Sequence, residues 1–581
     1  MSRPRKNKKQ AEVVPVWRFY FIVAALLTLL ALLVGRVLLL QVLDTDRGHE
    51  FLQKQGAMRS LRTAEIPAYR GLVSDRRGEP LAVSTPVISL WANPRHLDTT
   101  RLPELAGLLN LQLSDLQARV DRYAGKRFMY LERHMVPARA RDILARRIPG
   151  VSGEREYRRY YPSGEVAAQV VGFTNVDGEG IAGLELAYND WLRGIPGKKK
   201  YIKDLHGDAV RDIGVLEAAQ PGRDLKLSID LRLQYLQHRE LQRAMTVTGA
   251  KSGSIVTLDA ATGEILAMVN HPVYNPNSQD GFEMANTRNR AMTDVYEPGS
   301  TMKPLTLVAA LESGKYSTET MIDTAPGWIN VGRKTLPDPR NYGEISVSRV
   351  IEKSSQVGVT KMAQVLGHEP IWGVFQRFGM GSPVGVGFPG ESAGILPDRP
   401  RWRAIEKVTL AFGYGLTATP LQIAHAYSVF ANDGVQMPLT LLARDDSVEA
   451  PLGQRVIAAD TARKVVDVLH AVTGEHGTAG KARVAGYEVG GKTGTVHKVG
   501  PQGYIDDKYV ALFAGLAPVE DPRFVIVVVI DQPQGDAYGG GAAAAPVFSR
   551  VAEGALRLLN VPPTVPAEGI AKRDKQPGGN A

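Results

Sequence analysis

The longest apolar run in the chain lies close to its start and predicts a membrane-spanning helix. Residues 19–35 carry no charge and are rich in Leu, Ala and Val, and residues 37–40 extend the run beyond Arg36. About 20 apolar residues suffice to cross a bilayer. A cleaved signal peptide and a buried core helix are the alternatives, but the run exceeds a usual signal core and no A-x-A-like site follows it. We therefore predict an uncleaved transmembrane anchor over residues 19–43.

The tail ahead of this run, residues 1–18, is basic. It holds six Lys or Arg side chains against the single carboxylate of Glu12. Basic flanks stay on the cytoplasmic side, so the tail is expected there and everything after about residue 44 outside the cytoplasm. The net charge of +10 resides partly in this tail. We predict no nucleic acid binding, because a hydrophobic run follows the basic residues at once.

Residues 44–224 mix strand-like and helix-like patterns and predict an elongated α/β pedestal without an obvious active site. Apolar residues at helical spacing predict three helices, over 105–123, 138–147 and 183–192. Asp75 and Glu79 lie in a turn-rich stretch, where solvated charges are a simpler interpretation than acid–base chemistry. Lys198, Lys199 and Lys200 could contact an anionic partner, but a solvated β-hairpin is the simpler interpretation.

From residue 225 to about 562 the pattern predicts a second domain. Strands are predicted over 254–259, 265–269, 490–497, 509–516 and 524–530, and helices over 231–245, within 405–432 and over 547–559. This order predicts an antiparallel sheet between helical layers, and an α+β multidomain chain overall. Residues 563–581 are rich in Pro, Gly and charge and are predicted to be disordered.

The chain has 581 residues, which allows two to four domains. It contains no cysteine, so neither disulfides nor thiolate chemistry can operate. Its 11 histidines form no H-E-x-x-H or similar ligand spacing. We predict no metal and no cofactor.

The candidate chemistry centres on Ser300-x-x-Lys303. Residues three apart on a helix share a face, which brings the Lys303 amine near the Ser300 hydroxyl. A serine is a poor nucleophile until an adjacent base takes its proton, and a desolvated lysine can be that base. Pro304 is tolerated only in a first helical turn, so the helix is expected to begin near Gly299 or Ser300. Ser300 would then lie beside free N–H donors able to stabilise an oxyanion.

Ser-x-x-Lys alone is a weak signal, but two further motifs follow it. Ser354-Ser355-Gln356 and Lys492-Thr493-Gly494-Thr495 occur in the order in which S-x-x-K, S-D-N and K-T-G occur in serine β-lactamases and penicillin-binding proteins. The three together point strongly to serine acyl transfer.

The chain resembles the class B penicillin-binding proteins over about residues 15–562, and most closely their division-specific branch. The motifs that carry the resemblance are Arg70-Gly71-Leu72-Val73-Ser74-Asp75-Arg76, Arg159-Tyr160-Tyr161-Pro162, Gly183-Leu184-Glu185, Glu297-Pro298-Gly299-Ser300, Ala411-Phe412-Gly413-Tyr414-Gly415 and Gly491-Lys492-Thr493-Gly494-Thr495. It implies a periplasmic D,D-transpeptidase, anchored in the inner membrane, that cross-links peptidoglycan stem peptides at the septum and is acylated by β-lactams. It also implies a non-catalytic pedestal of dimerisation type and a serine β-lactamase-like catalytic fold.

The resemblance also implies roles for individual residues. Ser300 would be the nucleophile and Lys303 the general base, with Ser354 relaying protons between Lys303 and Lys492. The expected substrate-binding residues are Gln356, Tyr414, Thr493, Gly494 and Thr495. Lys492 and Thr493 would hold the substrate carboxylate, and the N–H groups of Ser300 and Thr495 would form the oxyanion hole. Glycan polymerisation would need a separate membrane-embedded partner, besides other division proteins.

Two positions depart from the family pattern. Gln356 stands where the family has Asn, so either the pocket suits the longer amide or acylation is weakened. Tyr538 is followed by Gly539 instead of a second aromatic residue, which predicts a thinner aromatic wall. The alternatives to a septal enzyme are a sibling class B transpeptidase for elongation or special conditions and a catalytically weak division scaffold. The intact set of Ser300, Lys303 and Lys492 argues against the scaffold.

Overall fold

The first element of the computed structural model is a long apolar helix, α1, Val16–Gln41. The structure describes residues 15–41, 51, 54, 61–203, 209–278, 280–444, 451–500 and 503–565. Within these residues α1 alone is long and apolar enough to cross a membrane, and none of its apolar stretch is buried. Most of the predicted basic tail, and the predicted disordered tail from residue 566 onward, lie outside the described residues.

In its described residues the pedestal has two sheets and six α-helices. Its strands are β1 Leu61–Ile66, β2 Val73–Ser74, β3 Pro80–Ala92, β4 Met129–Met135, β5 Val151–Tyr160, β6 Gly197–Lys203 and β7 Ala209–Glu217. Its helices are α2 Leu102–Leu109, α3 Leu113–Arg122, α4 Pro137–Ala145, α5 Ala168–Val171, α6 Gly183–Ala187 and α7 Asn189–Leu192. β3 pairs antiparallel with β2, β4 and β5, while β1, β6 and β7 form a separate antiparallel sheet.

Three predictions for the pedestal are wrong in detail. The helix predicted over 105–123 is two helices, because Asn110 adopts a left-handed conformation (φ 56°) at the end of α2. The helix predicted over 183–192 is likewise the two short helices α6 and α7. Asp75 is fully buried rather than solvated, because its carboxylate accepts backbone N–H bonds from Arg77, Glu79 and Leu231. The predicted lysine-rich hairpin is present as β6 and β7, with an ion pair between Lys198 and Glu217.

A buried triad of charged side chains ties the pedestal together. Glu185 is fully buried and accepts hydrogen bonds from Arg70 Nε at 2.7 Å and Arg159 Nε at 2.6 Å. Arg70 also donates to the Glu185 carbonyl oxygen, to the Gly178 carbonyl oxygen and to Asn189 Oδ1. Burying these charges is tolerable because each meets an opposite charge and further hydrogen bonds.

The second domain is built around one five-stranded antiparallel sheet. The strands of the whole domain are β8 Leu225–Lys226, β9 Ser252–Asp259, β10 Ile265–His271, β11 Met321–Asp323, β12 Trp328–Val331, β13 Lys334–Pro337, β14 Glu344–Ser346, β15 Val435–Gln436, β16 Gln454–Arg455, β17 Gly490–Gly500, β18 Gly503–Ala517 and β19 Phe524–Asp531. The main sheet has the order β10-β9-β19-β18-β17, which leaves β17 at an edge.

Helices cover both faces of this sheet. They are α8 Leu231–Thr248, α9 Arg290–Thr293, α10 Lys303–Glu312, α11 Val347–Glu352, α12 Gln356–Leu366, α13 His368–Arg377, α14 Ala404–Thr409, α15 Pro420–Ala431, α16 Ala459–Thr473, α17 Gly540–Ala543 and α18 Ala545–Leu558. Alternate residues of β9 enter opposite cores: Val256 joins the cluster with α10 and α15, and Ile255 joins the cluster with α8 and α18. The predicted antiparallel sheet between helical layers is thus confirmed.

The pedestal and the second domain share a core. β8 pairs in parallel with β2, so the segment that enters the second domain belongs to a pedestal sheet. Val73 and Leu184 of the pedestal belong to the same buried cluster as Met268 and Leu305. The catalytic domain therefore rests on the pedestal through packed side chains as well as through the chain itself.

Candidate active site

Ser300 lies in a tight turn packed directly on the edge strand. Gly299–Met302 form a 3₁₀ turn that leads into α10, with Pro304 in the first turn of the α-helix. Regular α-helix therefore begins at Lys303, slightly later than predicted. Gly299 has a φ of +54°, and a Cβ there would lie 2.3 Å from Val496 Cγ1. Only glycine fits this position, which brings the half-buried Ser300 against β17.

Lys303 is fully buried and its amine contacts oxygen atoms of the second motif. Nζ donates to the Ser354 carbonyl oxygen at 2.5 Å and to Ser354 Oγ at 3.1 Å, and lies 3.5 Å from the Ser355 carbonyl oxygen. Burial lowers the pKa of Lys303 to about 7, although the negative charge of Asp338 opposes the shift. A substantial fraction of this amine is therefore neutral near pH 7, as a general base must be.

Ser354 has a backbone conformation that non-glycine residues rarely adopt. Its φ is +58°, in the left-handed region, and such residues persist only where their surroundings hold them. Ser355 follows as the N-cap of α12, its Oγ accepting from Gly358 N at 2.9 Å. Gln356 is the first residue of α12 and is partly exposed. Its backbone N–H donates to Asp338, and the structure describes no hydrogen bond of its side-chain amide.

The third motif lies on β17, the edge strand of the main sheet in the described residues. Lys492 is fully buried, with Nζ 3.3 Å from the Thr493 carbonyl oxygen and 3.4 Å from Thr493 Oγ1. Burial, with the charge of Lys303 second, holds the pKa of Lys492 well below its usual range. An incoming carboxylate would favour its charged form. A Cβ on Gly494 would lie 3.0 Å from the Pro298 carbonyl oxygen, so glycine allows the strand to approach the Ser300 turn.

The hydroxyls of the two threonines on β17 are held by neighbouring segments. Thr493 Oγ1 lies 3.3 Å from Thr478 Oγ1, and Thr495 Oγ1 accepts from Gly540 N at 2.9 Å. The latter bond ties the loop after Tyr538 to the strand. These contacts fix the outer edge of β17 beside the Ser300 turn.

Two residues near the Ser300 turn make contacts to which the sequence analysis gave no role. Glu297 is buried, and its carboxylate accepts from Gly415 N at 2.8 Å and from Tyr504 Oη at 2.9 Å. Tyr414 lies with its ring centroid 6.4 Å from that of Tyr504. Glu297 could have been found from the sequence, because it lies only three residues before Ser300 in the same motif. Tyr504 carries no local signal, because the β17–β18 hairpin brings it to the site.

The expected thin aromatic wall is reinforced from another strand. Tyr538 stacks on Tyr509 with ring centroids 4.2 Å apart, and Tyr509 lies 4.6 Å from the ring of His497. The rings come from the loop after β19, from β18 and from β17. Sequence spacing could not reveal this group, because its members are neighbours only across the sheet.

The packing brings segments of the three predicted motifs together. Lys303 Nζ contacts Ser354, the turn that holds Ser300 packs on β17 at Gly494 and Val496, and the charge of Lys303 acts on Lys492. No group of three His, Asp or Glu side chains in the described part of the chain is placed to hold a metal ion. A serine three residues ahead of a buried lysine, on a turn packed against an edge strand, suits a serine acyl-transfer enzyme that binds peptides.

Comparison with known protein families defines the class further. A model of the penicillin binding protein transpeptidase domain matches residues 253–553, and a model of the penicillin-binding protein dimerisation domain matches residues 65–227. The chain belongs to the class B penicillin-binding proteins, which carry both domains.

Relatives match along the whole chain. The probable peptidoglycan D,D-transpeptidase PbpC of Pseudomonas aeruginosa is 42% identical and covers 100% of both chains. The peptidoglycan D,D-transpeptidase FtsI of Escherichia coli K12 is 41% identical over 97% of this chain and 95% of its own.

Solved structures agree with this assignment. Penicillin-binding protein 3 of Mycobacterium tuberculosis, complexed with aztreonam, is 30% identical with a TM-score of 0.67, covering 87% of this chain and 99% of its own. The transpeptidase domain of Burkholderia pseudomallei penicillin-binding protein 3 is 40% identical with a TM-score of 0.54, covering 58% of this chain and 98% of its own.

Proposed function

We propose that this protein is a peptidoglycan D,D-transpeptidase that cross-links stem peptides at the division septum through a Ser300 acyl-enzyme. The observation that carries the proposal is the fully buried Lys303, whose pKa of about 7 and contacts with Ser354 suit a general base one turn from Ser300. β-Lactams mimic the D-Ala-D-Ala end of the donor peptide and acylate the same serine.

In the proposed reaction Ser300 Oγ attacks the carbonyl carbon of the penultimate D-Ala while Lys303 accepts its proton. The tetrahedral intermediate collapses, the terminal D-Ala leaves as an amine, and the proton reaches it through Ser354 and Lys492. The amine of a second stem peptide then attacks the ester carbonyl, loses a proton to Lys303, and releases Ser300 Oγ, which takes that proton back. Ser354 suits a relay because its Oγ lies 3.1 Å from Lys303 Nζ.

Substrate binding is assigned to the edge strand and the residues facing it. Lys492 and Thr493 hold the terminal carboxylate. Burial lowers the pKa of Lys492 in the free protein, and the negative charge of the bound carboxylate would raise it and favour the charged amine. The N–H groups of Ser300 and Thr495 stabilise the oxyanion, and Gly494 lets the strand approach the Ser300 turn. Gln356 and Tyr414 contact the rest of the donor peptide.

The domain boundaries and topology are also part of the proposal. We assign residues 1–18 to the cytoplasm, 19–43 to the inner membrane, 44–224 to a periplasmic pedestal, 225–562 to the transpeptidase domain and 563–581 to a tail. Among the residues that the structure describes, α1 is the one helix long and apolar enough to span a membrane, which supports a single-pass anchor. A truncated chain starting at residue 50 should be soluble and still bind penicillin, whereas its partition into membranes would reveal a second insertion element.

The partners follow from the chemistry. The enzyme needs a donor peptide ending in D-Ala-D-Ala and an acceptor amine, and a membrane-embedded glycan polymerase must supply the strands that it joins. Other division proteins would bring this polymerase and the transpeptidase to the septum. The charge distribution gives no reason to assign a nucleic acid partner.

Labelling with a fluorescent penicillin tests the central claim. Ser300→Ala should abolish covalent labelling, while Ser354→Ala should slow labelling and leave the adduct on Ser300. Mass mapping of the adduct to a serine other than Ser300 would overturn the assignment.

A sibling class B enzyme for elongation or special conditions is the second candidate, because Gln356 departs from the family motif. Depletion of the protein separates the two candidates. Filamentous cells would support the septal role, and round cells would support a role in elongation.

A further inference from the structure

A cavity in the pedestal plays no part in the chemistry assigned to Ser300. Its volume is about 390 Å³, within the range of roughly 300–1,000 Å³ that is usual for small-molecule sites. It lies where β4, β5, the turn 175–179 and the segment 193–196 meet, and every residue that lines it belongs to the pedestal. The cavity is therefore separate from the Ser300 turn and from β17.

Two buried arginines, Arg70 and Arg159, line this cavity. They share the single carboxylate of Glu185, so the buried triad keeps one positive charge in excess. Arg159 also donates through Nη1 to Ser84 Oγ at 3.2 Å, but its buried Nη2 has no hydrogen-bond partner among the described residues. Buried donors are almost always paired and buried charges compensated. The excess charge and the unused donor thus favour an anionic group in the cavity.

The cavity also has a negatively charged side, at Glu154. Burial and the charge of Glu156 raise the pKa of the Glu154 carboxyl, although the charge of Arg133 opposes the shift. Glu156 itself is paired with Arg133 and accepts from Ser89 Oγ, whereas the structure describes no hydrogen bond of the Glu154 side chain. A cation placed beside Glu154 would offset the repulsion between the two carboxylates.

The walls of the cavity are held in place by the protein's own contacts. Arg133 pairs with Glu156 and with Asp177, both at 2.8 Å, which joins β4 to β5 and to the turn 175–179. His134, the next residue, lines the cavity with a φ of +58°, and its backbone N–H donates to Ser89 Oγ at 3.1 Å. Such conformations persist where the surroundings fix them, and they are common at ligand sites. A ligand would therefore enter a formed cavity and lose little affinity to ordering of the protein.

We propose that the pedestal cavity binds a zwitterionic ligand, an amino acid or a short peptide, with its carboxylate towards Arg159 and its ammonium group towards Glu154. A simple anion would meet the repulsion of Glu154 and Glu156, and a simple cation that of the arginines. A ligand that carries both charges matches both sides of the cavity. The proposal does not depend on the assignment of Ser300.

The test is isothermal titration calorimetry of the whole protein at pH 7 with four probes. L-Alanyl-L-alanine and alanine carry both charges, acetate carries only the negative charge, and methylamine carries only the positive one. Both zwitterions should bind at least about tenfold more tightly than acetate or methylamine, since one charged contact is worth about that factor. Tighter binding of the dipeptide than of alanine would identify peptides as the ligand, and the reverse order would identify free amino acids.

Two variants test the two sides of the cavity. Glu154→Gln should weaken binding of L-alanyl-L-alanine by about tenfold and leave acetate binding unchanged. Arg159→Lys keeps the charge but removes Nη2, and should weaken acetate and both zwitterions by a similar factor. Glu104→Gln is the matched control, because Glu104 is an exposed pedestal carboxylate on α2 that pairs with Arg101. It should bind all four probes as the wild type does.

Lys492→Ala separates this cavity from the catalytic site. It removes the carboxylate-binding amine proposed beside Ser300, and binding of the dipeptide should persist. Dipeptide binding that is no tighter than that of acetate and methylamine would overturn the proposal. So would dipeptide binding that is lost in Lys492→Ala and retained in Glu154→Gln.

Discussion

Two clusters of buried charged side chains have different roles in this protein: one holds the pedestal together, and the other supplies the site with amines of lowered pKa. In the pedestal, Arg70 and Arg159 enclose Glu185, and opposite charges compensate one another. In the catalytic domain Lys303 and Lys492 are equally buried, but their hydrogen bonds go to neutral serine and threonine oxygens. An amine buried without an ion-pair partner responds by losing its proton, which makes it a base.

The comparison teaches that burial alone does not identify a catalytic charge. The pedestal triad joins α6 to β5 and to the segment before β2, and removing one partner leaves uncompensated charge in the interior. Burial lowers the pKa of both lysines. Replacing either one removes a group that is assigned to the reaction. Substitutions in the pedestal triad should therefore change the free energy of unfolding, whereas substitutions of the two lysines should change the acylation rate.

The largest effect is expected from Lys303→Ala. Loss of the general base should slow penicillin acylation by roughly 10²–10⁴-fold or more, while the fold remains intact. Lys464→Ala is the control, because Lys464 is half exposed and paired with Asp460 on α16. An acylation rate within a factor of two of wild type for Lys303→Ala would remove Lys303 from the mechanism.

The converse variant is Glu185→Gln. It leaves Arg70 and Arg159 without their counter-charge, so the free energy of unfolding should fall by about 3–5 kcal/mol. Glu217→Gln, which breaks the exposed pair with Lys198, should cost at most about 1 kcal/mol. Denaturant titration measures both, and the acylation rate per folded molecule should be unchanged. A stable Glu185→Gln protein that acylates slowly would mean that the clusters are not separable.

The pH dependence of the acylation rate should report the protonation state of Lys303. Since the neutral amine of Lys303 is the base and its pKa is about 7, acylation should rise through pH 7 and at pH 6 reach about one tenth of its plateau. The folded-state pKa lies below the unfolded value, so the unfolded chain binds more protons between the two. Lys303 therefore contributes to stability a term that increases with pH from about 7 to its ordinary pKa. A rate that is flat between pH 6 and 8 contradicts the assignment.

The smallest effect is expected at Gln356. If the pocket has adapted to the longer amide, Gln356→Asn leaves a gap and slows acylation by about twofold to tenfold with a β-lactam that carries an acyl-amide side chain. A β-lactam without that amide is the control and should be unaffected. A faster Asn variant would mean that the pocket has kept the family geometry, and an unchanged rate would remove position 356 from the site.

Much of the architecture was predictable from local sequence. Alternation and helical spacing located the main-sheet strands and α8, α15 and α18, because each buries one face and repeats with its own period. The breaks at Asn110 and Tyr188 were missed, because nothing in the apolar spacing changes where the backbone leaves the helical conformation. The burial of Asp75 was missed too, because a carboxylate in a turn has the same sequence pattern whether water or backbone N–H groups surround it.

The sequence by itself determined the chemical inventory of the site: a serine and a lysine at helical spacing, a hydroxyl motif and a Lys-Thr-Gly strand. The tertiary structure decided which of these groups meet and in what protonation state. Folding buries Lys303 against Ser354, which lowers the pKa of its amine. It also brings Asp338 to Ser355, and Tyr504 to Glu297, from segments that are distant along the chain. Spacing along a chain specifies neighbours within one element, whereas desolvation and contacts between elements exist only once the core has closed.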